Sequence, residues 1–411
     1  MTPDVINKLG WLIPERTIKR IIDYDDSYRQ RKTHYPSTFY SEQNRNVMFI
    51  FGAGASANCV FGTESEIELF RGDTLRPPLG NELFSPKFKH YYQSYQGVKQ
   101  SLHFLQDENA NVEELFEEEW DDISEGNNTV LKRHINIQYY IQEILQKASF
   151  CVCSNYNEKN LFAKLANKLQ KAYSRNPSKK FAFVSFNQDT ILEFFLEEQF
   201  GKKIDKLEDY ISDNRGPFAI FKPHGSWNWG WKFPNTEAYS GHTPQKLFSD
   251  GVDFDNLYFD LLGNHIDMVD WSDWGRNSSF NPNGLGSVGI DKSSISLIPN
   301  HGNLNHYFPS ILLPYRDKDD FTMPSSHLKR MTSYFEYVET LIIIGWKGNE
   351  AAFNRLLFDN SNNLKRIIVA DPTPTVVEKN LSSLISRKGI ELIKYSSFED
   401  FIKHGISYAI N

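Results

Sequence analysis

The chain has 411 residues, enough for two or three structural units or one large α/β domain carrying insertions. Hydrophobic residues make up 40% and aromatics 14%, ample for a core, yet no apolar run approaches the roughly 20 residues needed to span a bilayer. A formal charge of −7 argues against a general nucleic-acid binder, because neutralising phosphates needs concentrated Lys and Arg.

The first 20 residues lack a charged stretch followed by an apolar one, so no signal peptide is expected and a cytoplasmic location follows as the default. Three cysteines, Cys59, Cys151 and Cys153, are too few for a four-cysteine zinc site or a disulfide framework. Cys151 and Cys153 flank one valine; at strand spacing both would face the same way, as small apolar fillers.

In chain order, residues 1–45 are polar, with Ile18, Ile21 and Ile22 forming a short helical face, and read as an N-terminal arm or outer helix. Val47–Phe51 is a short apolar run suited to a buried parallel strand. It opens into Gly52-Ala53-Gly54-Ala55-Ser56, where glycine permits a tight turn and a close backbone approach to a ligand. A helix beginning there would aim free N–H groups at a diphosphate, although the same glycines serve a plain strand-to-helix turn.

From 85 to 175 the pattern is helical and reads as an inserted amphipathic module. Its acidic segment 112–123 can place Leu115, Phe116, Trp120 and Ile123 on one face, and Leu161, Leu165 and Leu169 recur with lysines opposite. Strand character returns at 180–189, 218–226, 310–315, 340–346 and 366–372, with helical stretches at 190–200, 327–339, 349–360 and 373–389. This alternation predicts a doubly wound parallel, Rossmann-like α/β sheet over 46–411. Residues 227–309 break the rhythm and read as a loop-rich insertion; Trp227, Trp229 and Trp231 alternate as on a strand, with core packing favoured over base stacking.

Ligands of such sheets sit beyond the carboxyl ends of the strands. Five clusters fall there: the glycine turn; Ser185, Asn187 and Asp189; His224-Gly225-Ser226; Gly345 with its neighbours; and Asp371. Each has a bland reading too. Asn187 suits a turn, Asp189 can cap the following helix, His224 can be a satisfied structural histidine, and Gly345 and Asp371 are ordinary turn formers.

Taken together and in this order, the landmarks resemble the sirtuins. Gly52 to Ser56 matches their Gly-Ala-Gly-x-Ser loop, Phe186-Asn187-Gln188-Asp189 their Gln-Asn-Ile-Asp stretch, and Pro223-His224-Gly225-Ser226 their Leu-His-Gly-Ser. The resemblance covers 47–56, 75–84, 181–226 and 340–372. Two departures stand out: the four-cysteine zinc module is missing, and LRPPLGNELF occupies the place of Gly-Ile-Pro-Asp-Phe-Arg. This version looks like the sirtuin-like NAD hydrolases of bacterial anti-phage defence.

The resemblance implies a fold without the zinc module and cleavage of NAD, as substrate, to nicotinamide and ADP-ribose in abortive infection. It implies that Asn187 positions the nicotinamide ribose and attacking water, and that His224 orients or deprotonates a ribose hydroxyl or that water. Asp189 would accept from the carboxamide, Ser56 and the N–H groups of Gly52 to Ala55 would hold the diphosphate, and Gly345 and Asp371 would shape the adenosine half. No metal is expected. Expected partners are further copies of the chain and a separately encoded HerA-type ATPase (a hexameric DNA translocase), or alternatively an Argonaute-type protein, with no membrane or direct nucleic-acid contact. Two alternatives remain: a non-catalytic module binding NAD or ADP-ribose, and an NAD-dependent protein deacylase.

Overall fold

The structure is a computed structural model and describes residues 46–57, 76–93, 95, 97–99, 116, 128–154, 159–211, 216–232, 266–268, 307–313, 321–387 and 389–410. The expected N-terminal arm, Cys59 and most of the 227–309 insertion lie outside them.

Six strands form the central sheet: β1 (Asn46–Phe51), β2 (Phe181–Ser185), β3 (Phe218–Phe221), and later β7 (Val338–Ile344), β8 (Arg366–Ala370) and β9 (Glu391–Tyr395). Their order is β3-β2-β1-β7-β8-β9 and every neighbouring pair is parallel. Counting only these six, the order is 3-2-1-4-5-6, the doubly wound Rossmann arrangement, with its reversal between β1 and β7. Phe49, Ile50, Phe183, Val184, Ile342, Ile343, Ile367 and Ile368 are fully buried. A parallel strand covered on both faces has no solvent side on which to place polar residues, so these segments read as unbroken apolar runs.

Register shows which helix covers which face. Phe49 and Phe183 are partners and stack, and Phe51 packs on Phe162 of the helix Leu161–Arg175. Val184 and Phe221 are partners on the opposite face, where Phe221 meets Tyr334 of the helix Ser325–Phe335. Asn160 starts Leu161–Arg175 by accepting from the N–H groups of Phe162 and Ala163, and its Leu161, Leu165 and Leu169 are buried as their spacing predicts. This helix packs on the sheet core, so it is not part of a separate 85–175 module. The rest of that span includes the long helix Asn128–Ser154, which carries Cys151 and Cys153 at helical and not strand spacing.

A second sheet is antiparallel, in the order β5-β4-β6, built from β4 (Gly225–Lys232), β5 (Ile266–Met268) and β6 (Tyr307–Ile311). The segment expected as a strand at 310–315 thus falls partly in this sheet and not in the parallel one. The termini of the 227–309 insertion are likewise strands. Trp229 is fully buried, edge-on to Tyr210 and His327, which agrees with core packing. Gln138 and Gln142 of the long helix donate to the carbonyls of Ile311 and Trp227, fastening it to this sheet. No helix among the described residues is long and apolar enough to cross a membrane.

Candidate active site

Because all six strands run the same way, the turns after β1, β2, β3, β7 and β8 meet along one carboxyl edge. At the reversal point the turns after β1 and β7 interlock. The N–H groups of Gly52 and Gly54 donate to the carbonyls of Ile344 (3.1 Å) and Gly345 (3.3 Å), and that of Ala55 to Gly52 (2.9 Å). A Cβ at Gly52 would lie 2.4 Å from the Gly345 carbonyl oxygen, and one at Gly345 2.4 Å from the Ala55 nitrogen. Gly345 also has a positive φ of 62°. The missing side chains of Gly52 and Gly345 are therefore filled by each other's turn. The reading that Gly52 is bare to admit a ligand is corrected: its bareness admits the β7 turn. Three of the N–H groups expected to hold a diphosphate are occupied, while Ala53 is exposed and Ser56 is buried.

Ser56 joins the first turn to the second. Asn187 Nδ2 donates to Ser56 Oγ at 2.7 Å, and Ser56 hydrogen-bonds the Asp189 carboxylate. A carboxylate only accepts, so the hydroxyl proton goes to Asp189 and its oxygen must accept from Asn187. This fixes the amide orientation and leaves Asn187 Oδ1 as the other arm. That oxygen is buried and has no hydrogen-bond partner, an expensive state for a carbonyl unless a ligand completes it.

Asp189 also accepts from the N–H of Ile191 at 3.1 Å, two residues on, at the first residue of the helix Ile191–Phe200, whose N-cap residue is Thr190 and not Asp189. Burial pushes its carboxyl above the usual range; the Lys222 ammonium, Ser56 and Ile191 oppose that shift. Asp371 closes a turn by accepting from the Thr373 N–H (2.7 Å) and hydroxyl (2.9 Å). It stands at the end of β8, next to Ala370, whose carbonyl accepts from Gly345.

His224 is buried, its ring edge-on to Phe186 with centroids 4.9 Å apart. Phe186 stacks flat on Trp346 at 5.0 Å, Phe353 meets both rings edge-on, and Trp346 Nε1 donates to Glu350 at 2.6 Å. Gln188 donates to the carbonyls of His224 and Leu312, and its own carbonyl accepts from the Trp227 N–H. Asn187 and His224 therefore stand on loops tied together by Phe186 and Gln188.

Sequence reading named Phe186, Gln188 and Trp346 only as neighbours within motifs, without a role, and missed an ion pair between Lys222 and Glu193. Lys222, wholly buried, donates to the Asp189 carbonyl and, at 2.6 Å, to Glu193. The available signal was a charge inside each apolar stretch: Lys222 in FAIFKPHGS and Glu193 in ILEFFL. A cavity of about 340 Å³ lies elsewhere, bordered by Phe150, Cys153, Glu193, Tyr210 and Trp227, and none of the expected site residues lines it. Among the described residues no group of three or more His, Cys, Asp or Glu could hold a metal.

No family model matches the chain, and no curated protein matches it. Among solved structures it is similar to one on sirtuin substrate affinity (13% identity, 89% of this chain and 93% of that chain, TM-score 0.36). It is similar also to a Sir2 homologue–NAD complex (12%, 89% and 90%, TM-score 0.36) and to a structure on the mechanism and regulation of Sir2 enzymes (12%, 90% and 92%, TM-score 0.37). Scores this low add no weight to the fold assignment, which rests on strand order and register.

Proposed function

We propose that the protein hydrolyses NAD to nicotinamide and ADP-ribose at the carboxyl edge of the parallel sheet. The single observation that carries this reading is Asn187: its Nδ2 is locked on Ser56 while its buried Oδ1 lacks a partner at the rim where doubly wound sheets take nucleotides. A preset acceptor in a desolvated place suits a ribose hydroxyl or a water.

The bond broken joins ribose C1′ to the nicotinamide nitrogen. Nicotinamide leaves as a neutral molecule, the transition state has oxocarbenium character, and water supplies the new C1′–O bond and releases a proton. Asn187 Oδ1 holds the ribose or the water. His224 orients or accepts the proton, a general-base role an imidazole can fill. Asp189 acts through Ser56, holding the Asn187 amide with Nδ2 on Ser56 and Oδ1 unpaired. Ala53, Ser56, Gly345 and Asp371 border the dinucleotide.

The biological setting proposed is that of a toxic effector in anti-phage defence, supported by the order of sirtuin-like motifs and the missing zinc cysteines. An unrestrained NAD hydrolase would kill its host, so control by self-assembly and a HerA-type ATPase partner is part of the proposal, with a cytoplasmic location. Incubating the purified chain with NAD, alone and with its co-encoded neighbour, and measuring nicotinamide tests the function. Tight NAD binding without nicotinamide release under any condition would favour the binding module instead. Size measurement with and without the neighbour tests assembly; a fully active monomer contradicts it.

A further inference from the structure

We propose that Lys222 and Glu193 are a positioning pair, whose buried ammonium ties the loop bearing Asn187 and Asp189 to the strand end bearing His224. This rests on the site reading above and adds residues to it. Lys222 stands one residue beyond β3 and two before His224. Its ammonium, with none of the residue exposed, reaches across to the β2 loop at the Asp189 carbonyl and to Glu193 on the helix Ile191–Phe200 that follows. One cation thus contacts both the backbone and the helix of the neighbouring segment.

The pair is more than a fastener because of what faces it. Asp189 is approached by Ser56 from the first turn, by the Ile191 N–H and Glu193 from its own helix, and by Lys222 from β3. Glu193 is approached by Lys222 and by the Tyr210 hydroxyl at 3.4 Å. Burial raises the proton affinity of both carboxyls, and Lys222 is the first influence opposing it in each. An ionised Asp189 accepts the hydrogen bond from the Ser56 hydroxyl, and that in turn fixes the Asn187 amide. The line Glu193–Lys222–Asp189–Ser56–Asn187 is continuous in hydrogen bonds or charge contacts.

The two charges of the pair act on Asp189 with opposite signs. Removing Glu193's charge relieves Asp189 of a negative neighbour; removing Lys222's takes away a positive one. The test is the Asp189 carboxyl titration, followed by ¹³C NMR in the ligand-free protein and assigned by Asp189→Asn. In Glu193→Gln the titration should move to lower pH. In Glu193→Gln/Lys222→Met, which removes both members of the pair and leaves the buried Asp189 without an adjacent cation, it should move at least about one pH unit above wild type, the size expected for losing an adjacent cation. If NAD is cleaved, the acid limb of kcat should follow the same order. Titrations that coincide, or that move the same way in both variants, overturn the proposal; should the double variant not fold, the absence of a downward shift in Glu193→Gln does so alone. Absent NAD cleavage would sink the function reading and leave this test intact.

Discussion

Asn187 makes two different demands on its neighbours, and each can be tested separately. Removing the amide in Asn187→Ala deletes the buried, unpaired acceptor, and NAD cleavage should fall roughly 10²-fold or more, the range for a lost transition-state contact. His224→Ala should cost roughly 10² to 10⁴ as a lost acid–base group. Measured nicotinamide release at wild-type rate in either variant removes that residue from the mechanism. Asn187, Asp189 and His224 were legible because polar residues directly after apolar strands are unusual enough to notice. Lys222 and Glu193 were not, since a lone charge in an apolar stretch gains meaning only when its counter-charge is known to lie opposite.

Among the elements, the strand-end turns carry the sharpest expectations. Gly201 and Gly345 both have positive φ, but a Cβ at Gly201 meets nothing within 4 Å, whereas at Gly345 it meets the Ala55 nitrogen. Gly201→Ala should cost about 1 kcal/mol, the penalty of a left-handed residue alone. Gly345→Ala adds a backbone overlap and should cost about 3 kcal/mol or more, with loss of NAD cleavage; equal denaturation midpoints for the two variants would refute the interlocked turns. The helix Ser325–Phe335 adds a pH expectation. Burial pushes His327 down to about 4, outweighing its hydrogen bond to the Leu207 carbonyl. The unfolded chain therefore protonates first as pH falls below 6.5, so stability is lost between about 6.5 and 4, amounting to about 2 kcal/mol at pH 5. His134, pushed down to about 3, acts in the same sense, while Asp189 and Glu193 with raised affinities act oppositely. In His327→Gln the drop in stability from pH 7.5 to pH 5 should shrink by about 2 kcal/mol.

For the whole molecule, three cysteines cannot build a four-cysteine zinc module, so chelators should leave both the melting temperature and NAD cleavage unchanged. A fall in either on EDTA treatment, reversed by zinc, would show a metal the sequence argument excludes. The parallel sheet was legible in its apolar runs, with one omission. β9, ELIKY, is a half-exposed edge strand whose mixed charge hides it, as edge strands guarded by charge generally do. The 310–315 segment was read as a strand but assigned to the parallel sheet, because local pattern gives a strand no partner. Its pairing with β4 is a long-range choice.

The chain by itself determined that strands buried on both faces alternate with amphipathic helices and end in glycine or polar turns, because period and composition are local properties. Which turns touch was decided only by the tertiary structure. Gly52 faces Gly345, Asn187 reaches Ser56, and Lys222 finds Glu193 because strand order brings together segments far apart in sequence. Burial then gives those meetings their strength, by removing the water that would otherwise satisfy each group.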